Sequence, residues 1–111
     1  MTPPNPKTYA TPGPSRAEID AIREPTVIDF GTNWCGVCNA ARPVIDAAFA
    51  RHPAIAHVKI EDGQGRPAGR SFGVKLWPTL VFLREGREVA RLVRPGSQAD
   101  VERALEVLAA A

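Results

Sequence analysis

The sequence predicts an α/β domain in which a central mixed β-sheet of four to five strands is flanked by helices on both faces. Three observations carry this. Strand-like and helix-like apolar patterns follow one another in the order β-α-β-α-β-β-α, with room for one more strand at the front. Residues 26–30, Thr-Val-Ile-Asp-Phe, are short, β-branched and nearly all apolar, as a central strand buried on both faces should be. Residues 79–83 and 88–93 flank a hairpin turn at Arg84-Glu85-Gly86-Arg87, which makes the last two strands antiparallel.

Residues 1–14 contain Pro3, Pro4, Pro6, Pro12, Gly13 and Pro14 and few apolar groups, so they read as a Pro-rich, disordered or extended segment before a domain over 15–111. A short edge strand at residues 8–10 is the one structural feature expected there. Ser15-Arg16-Ala17-Glu18 is a capping box. It opens a helix to about residue 23, with Ile19 and Ile22 on its apolar side. Asp29 is the anomaly in the strand that follows, because a buried carboxylate is expensive unless paired or protonated. It is either a solvated strand-end residue or a buried proton acceptor.

A second helix runs to about Arg51. Val44, Ile45, Ala48 and Phe49 lie on one side, Pro43 should bend it, and His52-Pro53 ends it. Residues 56–61 alternate as a strand with Val58 and Ile60 inward and Lys59 pointing the other way. After a turn at 62–65, Pro67 suits the first turn of a short helix that Gly73 closes. Pro95-Gly96 breaks the last strand, and Ser97 caps a final helix. Asp100 sits in that helix's first turn, and Val101, Ala104, Leu105 and Leu108 mark its buried stripe.

Both cysteines of the chain, Cys35 and Cys38, lie between the first strand and the second helix. The thiolate is the nucleophile in disulfide exchange, and a helix N-terminus stabilises negative charge. Cys35 at that N-terminus attacks a substrate disulfide. Cys38, one turn on and pointing inward, then displaces the product. Gly36 keeps the turn small and lets a partner backbone approach. Val37 brings no charge, and the lack of a histidine there leans toward a reducing role. Alternatives are a static disulfide, two buried thiols or a metal site. Cys35-x2-Cys38-x13-His52-x4-His57 meets the spacing of a zinc finger. However, Pro53 breaks any helix joining His52 and His57, and the residues before Cys35 read as a buried strand. We expect His52 at a solvated helix end, His57 at the start of a strand, and no metal.

Length and composition bound the rest. A chain of 111 residues, 44% hydrophobic and 23% charged, is an ordinary globular domain that needs no staples. A net charge of +2 without a basic cluster argues against nucleic acid or membrane partners. No apolar run approaches the roughly 20 residues of a membrane span. The N-terminus lacks the apolar core of a signal peptide, so a cytoplasmic location is expected. Nothing requires an oligomer, and a monomer is expected.

Val27-Ile28-Asp29-Phe30, Trp34-Cys35-Gly36-Val37-Cys38, Pro43, Lys59, Phe72-Gly73-Val74, Trp77-Pro78-Thr79 and Gly86 together resemble the thioredoxin family, in family order and with near-family spacing. The resemblance covers about residues 15–108 and implies the thioredoxin fold. It implies that Asp29 is the buried aspartate that helps deprotonate the resolving cysteine, Cys38, and that Lys59 lies near Asp29 and tunes it. It also implies a cis bond between Trp77 and Pro78, with Pro78 opposite the disulfide and the backbone of Trp77 receiving a substrate strand. Trp34 would pack beside the sulfurs. The chain departs from the family in several places. Gly-Val stands between the cysteines instead of Gly-Pro. Gly31 replaces a second tryptophan, which leaves one wall of the site thinner. Trp77 replaces an aliphatic residue, and Arg94-Pro95-Gly96 alters the loop bordering the groove.

The expected activity is therefore a thiol–disulfide oxidoreductase that reduces protein disulfides through Cys35 and Cys38. Trp34, Gly36, Val37, Trp77 and Pro78 form its substrate surface. No cofactor is called for, and electrons come from a thioredoxin reductase or an equivalent dithiol donor. The alternative is a binding module that uses the groove around Trp77 and Pro78 for a protein partner, with redox incidental. A glutathione-dependent role ranks behind both.

Overall fold

A computed structural model describes residues 8–110 and places Thr26–Gly31 (β1) inside a four-stranded sheet. All six residues of β1 are buried, as their composition requires. Around it stand Ala56–Glu61 (β2), Thr79–Arg84 (β3) and Arg87–Val93 (β4), in the order β2-β1-β3-β4. β1 runs parallel to β2 and antiparallel to β3, and β3 pairs antiparallel with β4. Glu85 and Gly86, both at positive φ, make the two-residue turn between β3 and β4.

The helices are Arg16–Asp20 (α1), Gly36–Ala50 (α2), Pro67–Ser71 (α3) and Gln98–Ala110 (α4). The pleat of β1 assigns its side chains to opposite faces. Val27 joins Leu80 and Phe82 in a core with Ile45 and Phe49 of α2 and Leu105 of α4. Ile28 and Phe30 join Ile19 of α1 and Phe72, next to α3, on the other side. Burying each such side chain contributes about 1.5–3 kcal/mol. The same alternation sends Asp29 to the face of Val27, beneath α2.

Both expected caps form. Ser15 Oγ accepts from the Glu18 N–H at 3.1 Å, and Glu18 Oε1 accepts from the Ser15 N–H at 2.8 Å. Ser97 Oγ accepts from the Asp100 N–H at 3.2 Å. Two expectations shift. α1 ends at Asp20, because Ile19 alone buries its side chain fully there. α2 runs 15 residues through Pro43 and buries Cys38, Ala41, Ile45, Ala48 and Phe49, leaving Val44 half-buried on the rim. The inward face thus follows the helical repeat set by Cys38.

The front of the chain also differs from expectation. Residues 1–7 lie outside the described residues, but residues 8–14 are placed against the domain. Ala10 forms a single parallel bridge to Ile60, donating to the Lys59 carbonyl at 2.9 Å and accepting from the Glu61 N–H at 3.1 Å. The extra strand at the front is thus reduced to one bridge. It holds Tyr9, which is 6% exposed and inside the domain.

Candidate active site

Cys35 is the N-cap of α2, and its Sγ accepts from the Cys38 N–H at 3.2 Å. The sulfur therefore sits on the free amides and positive dipole end of the helix, where a thiolate is stabilised. Cys38 lies one turn further in and is the more deeply buried, 3% exposed against 9% for Cys35. Both are free thiols. Burial, followed by the neighbouring Cys35 sulfur, pushes the Cys38 thiol up to about 11. At neutral pH it keeps its proton.

Beneath the sulfurs is a buried polar layer. Asp29, 1% exposed, accepts a hydrogen bond from the Tyr9 hydroxyl at 2.8 Å on Oδ1. On Oδ2 it meets His57 Nε2 at 3.2 Å. The His57 ring stacks on Phe49, with centroids 3.9 Å apart and planes 12° from parallel. The buried-acceptor reading of Asp29 fits this placement, because both carboxylate oxygens have partners. Lys59 is buried in the same layer. It faces Asp29 in the β1–β2 register, but its ammonium lies 4.0 Å from Asp46 Oδ1 on α2 and 5.4 Å from the Tyr9 ring centroid. The carboxylate's close partners are instead Tyr9 and His57.

Gly31 did not leave the site open. A Cβ there would stand 2.7 Å from both the Tyr9 hydroxyl oxygen and Cys38 Sγ. The missing side chain is the space Tyr9 occupies, and the ring packs with Cys35 and Cys38 in one cluster against Trp77.

The surface around the sulfurs is apolar. Trp34 is 74% exposed and meets the Trp77 ring edge-on at 5.7 Å between centroids. Gly36 and Val37 are exposed beside Cys35. The Trp77–Pro78 peptide is cis, and Pro78 is buried. Trp77 is fixed at both ends, its indole N–H donating to Asp62 Oδ2 at 2.8 Å and its carbonyl accepting from Arg94 Nε at 2.8 Å. Val37, Val44, Arg94, Pro95 and Gly96 border a groove between the first turns of α2 and the loop after β4.

The structure thus gathers Cys35, Cys38, Asp29, Trp34, Gly36, Val37, Trp77 and Pro78, and brings Lys59 to the layer's edge. Tyr9 and His57 were missed as site residues. Tyr9 had two signals, the glycine at position 31 that calls for a complement and the apolar break at residues 8–10. His57 shares the strand parity of Lys59, which places it on the face of Asp29. Among the described residues, no three of His, Cys, Asp and Glu gather as a metal site would need, so the four-residue zinc spacing does not converge. No helix among the described residues is long and apolar enough to cross a membrane.

The family model described as Thioredoxin matches residues 11–107. The chain is 40% identical to a thioredoxin of Chlamydia muridarum over 68 residues, which covers 60% of this chain and 66% of that one. Curated relatives of this kind are spanned over 49 to 66% of their length. Among solved structures, reduced thioredoxin 2 of Pseudomonas aeruginosa PAO1 is 51% identical, with a TM-score of 0.85 over 95% of this chain and 98% of that one. A Nicotiana alata thioredoxin is 30% identical, with a TM-score of 0.68 over 82% of this chain and 78% of that one. With a family model matched over nearly its whole length and with this sheet and cysteine pair, the chain belongs to the thioredoxin family.

Proposed function

We propose that the chain is a thiol–disulfide oxidoreductase that reduces protein disulfides through Cys35 and Cys38. The observation that carries this is the placement of the two sulfurs. One caps the N-terminus of a helix, and the other lies one turn further in, more deeply buried and clustered with Tyr9, whose hydroxyl donates to the buried Asp29 carboxylate. Cys35 attacks one sulfur of the substrate disulfide, and the other substrate sulfur leaves as a thiol. Cys38 then loses its proton and attacks Cys35. The Cys35–substrate bond breaks, its electron pair leaves with the second substrate thiol, and the enzyme, oxidised by two electrons, is left as the Cys35–Cys38 disulfide. A thioredoxin reductase or an equivalent dithiol donor restores the thiols.

Trp34, Gly36, Val37, Trp77 and Pro78 form the surface that receives the substrate. Its apolar character suits an extended peptide rather than a small charged thiol. A cytoplasmic setting fits a dithiol kept reduced. The test is a pair of variants. Cys38→Ser should accumulate a mixed disulfide with a protein substrate, and Cys35→Ser should form none. Equal trapping by both would reverse or remove the assigned roles. A reduction potential near about −270 mV is expected for a reductase, and one near about −120 to −180 mV would instead mark an oxidant or isomerase.

A further inference from the structure

Release of the substrate requires Cys38 to give up a proton in a place water does not reach. Cys38 is 3% exposed, and the acceptor, Asp29, is 1% exposed. The Tyr9 hydroxyl lies near both. It donates to Asp29 Oδ1 at 2.8 Å and converges with Cys38 Sγ on the space left by Gly31. Its ring is in the same cluster as both sulfurs.

We propose that Tyr9 is a catalytic residue of the second step, its hydroxyl accepting the Cys38 proton as it passes its own to Asp29. The proposal rests on the dithiol reading above. As the S–H bond of Cys38 breaks, the Tyr9 oxygen gains that proton and gives its original one to Asp29 Oδ1. Asp29 becomes a neutral acid, and Tyr9 is neutral before and after. The Cys38 electron pair forms the bond to Cys35, and the Cys35–substrate pair leaves with the substrate sulfur. Reduction of the Cys35–Cys38 disulfide runs the same proton back. His57 holds Oδ2 at 3.2 Å and fixes the carboxylate for the exchange.

The arrangement has a direction. A Tyr9 hydroxyl that already donates to Asp29 can only accept from the thiol. The charged and titratable groups around this path are Cys35 at the N-cap of α2, Asp46 within α2, Asp29 from β1, and His57 and Lys59 from β2. Lys59 is held toward Asp46, with its ammonium 5.4 Å from the Tyr9 ring centroid. Tyr9 itself is pushed far above its ordinary range by burial and then by the Asp29 charge, so it acts as a neutral carrier and not as a phenolate base.

The test uses the reduced full chain and 5,5′-dithiobis(2-nitrobenzoate), which yields one chromophore when Cys35 reacts and a second when Cys38 resolves the adduct. In Tyr9→Phe the ring stays and the relay oxygen goes. The ratio of second to first rate should fall by about a hundredfold, the low end for a positioned proton-transfer group. The second rate should also rise only at higher pH than in wild type. Asp29→Asn should slow the same step, and the double variant should be no slower than the worse single one, because the two act in series. An unchanged ratio and pH profile in Tyr9→Phe, or fully additive losses in the double variant, would overturn the relay. Wild type that releases only one chromophore would overturn the dithiol function, and the relay with it. Two releases with Tyr9→Phe unaltered would overturn the relay alone.

Discussion

Cys38 keeps its proton because the thiolate would sit among apolar groups and close to a second sulfur. That preference is linked to folding, and its sign can be worked out. The folded thiol titrates near 11, above the ordinary value of 9.0, so the folded state binds the proton more tightly. The resulting stability is fully present below about pH 9 and is lost as pH rises through about 11. The reduced chain should therefore lose Tm over that window, and Cys38→Ala should lose less. Parallel melting curves would show it, and identical pH dependence in the two would refute it. At this scale the sequence was legible where a residue type has few uses. Two cysteines three apart and a carboxylate inside an apolar strand announce themselves. The partners of that carboxylate did not, because hydrogen bonds between distant strands depend on rotamers. Tyr9 and Asp29 are 20 positions apart, and Lys59 turned to Asp46 instead.

The elements were the most legible level, since a buried strand and a capped helix are written in local pattern. β1, β2 and α3 begin where composition places them, and Ser15 and Ser97 cap as their positions suggest. The loop after β4 was less so. Arg94, at φ 50°, receives nothing from a sequence pattern, yet its backbone N–H donates to the Pro78 carbonyl at 2.9 Å and its guanidinium to the Trp77 carbonyl. A substrate strand that pairs with Trp77 must compete for that second acceptor. Arg94→Ala should lower KM for a protein disulfide by about fivefold, the equivalent of one net hydrogen bond near 1 kcal/mol. A small disulfide reagent that makes no backbone pairing should react unchanged. Steady-state kinetics with both substrates would check this, and an equal effect on the two would sink it.

For the whole molecule, the front of the chain serves as the wall that Gly31 leaves out. Residues 8–14 join through the bridge at Ala10, a hydrogen bond from the Tyr9 N–H to Asn33 Oδ1 at 2.8 Å, the close approach of Gly13 to Ile60, and the buried Tyr9 side chain. Tyr9→Ala should cost about 3 kcal/mol, at the lower bound for truncating a buried aromatic. Denaturant titration would measure it, and a loss below about 1 kcal/mol would show that the site closes without this segment. Proline content hid this arrangement, because composition describes the average of a segment and one tyrosine departs from the average. The two indoles of the chain, Trp34 and Trp77, touch each other beside Cys35 and Cys38. No other indole contributes to the emission of the chain. Its ultraviolet fluorescence is therefore a site-specific signal, in which a forming disulfide or an arriving peptide can be timed without any label.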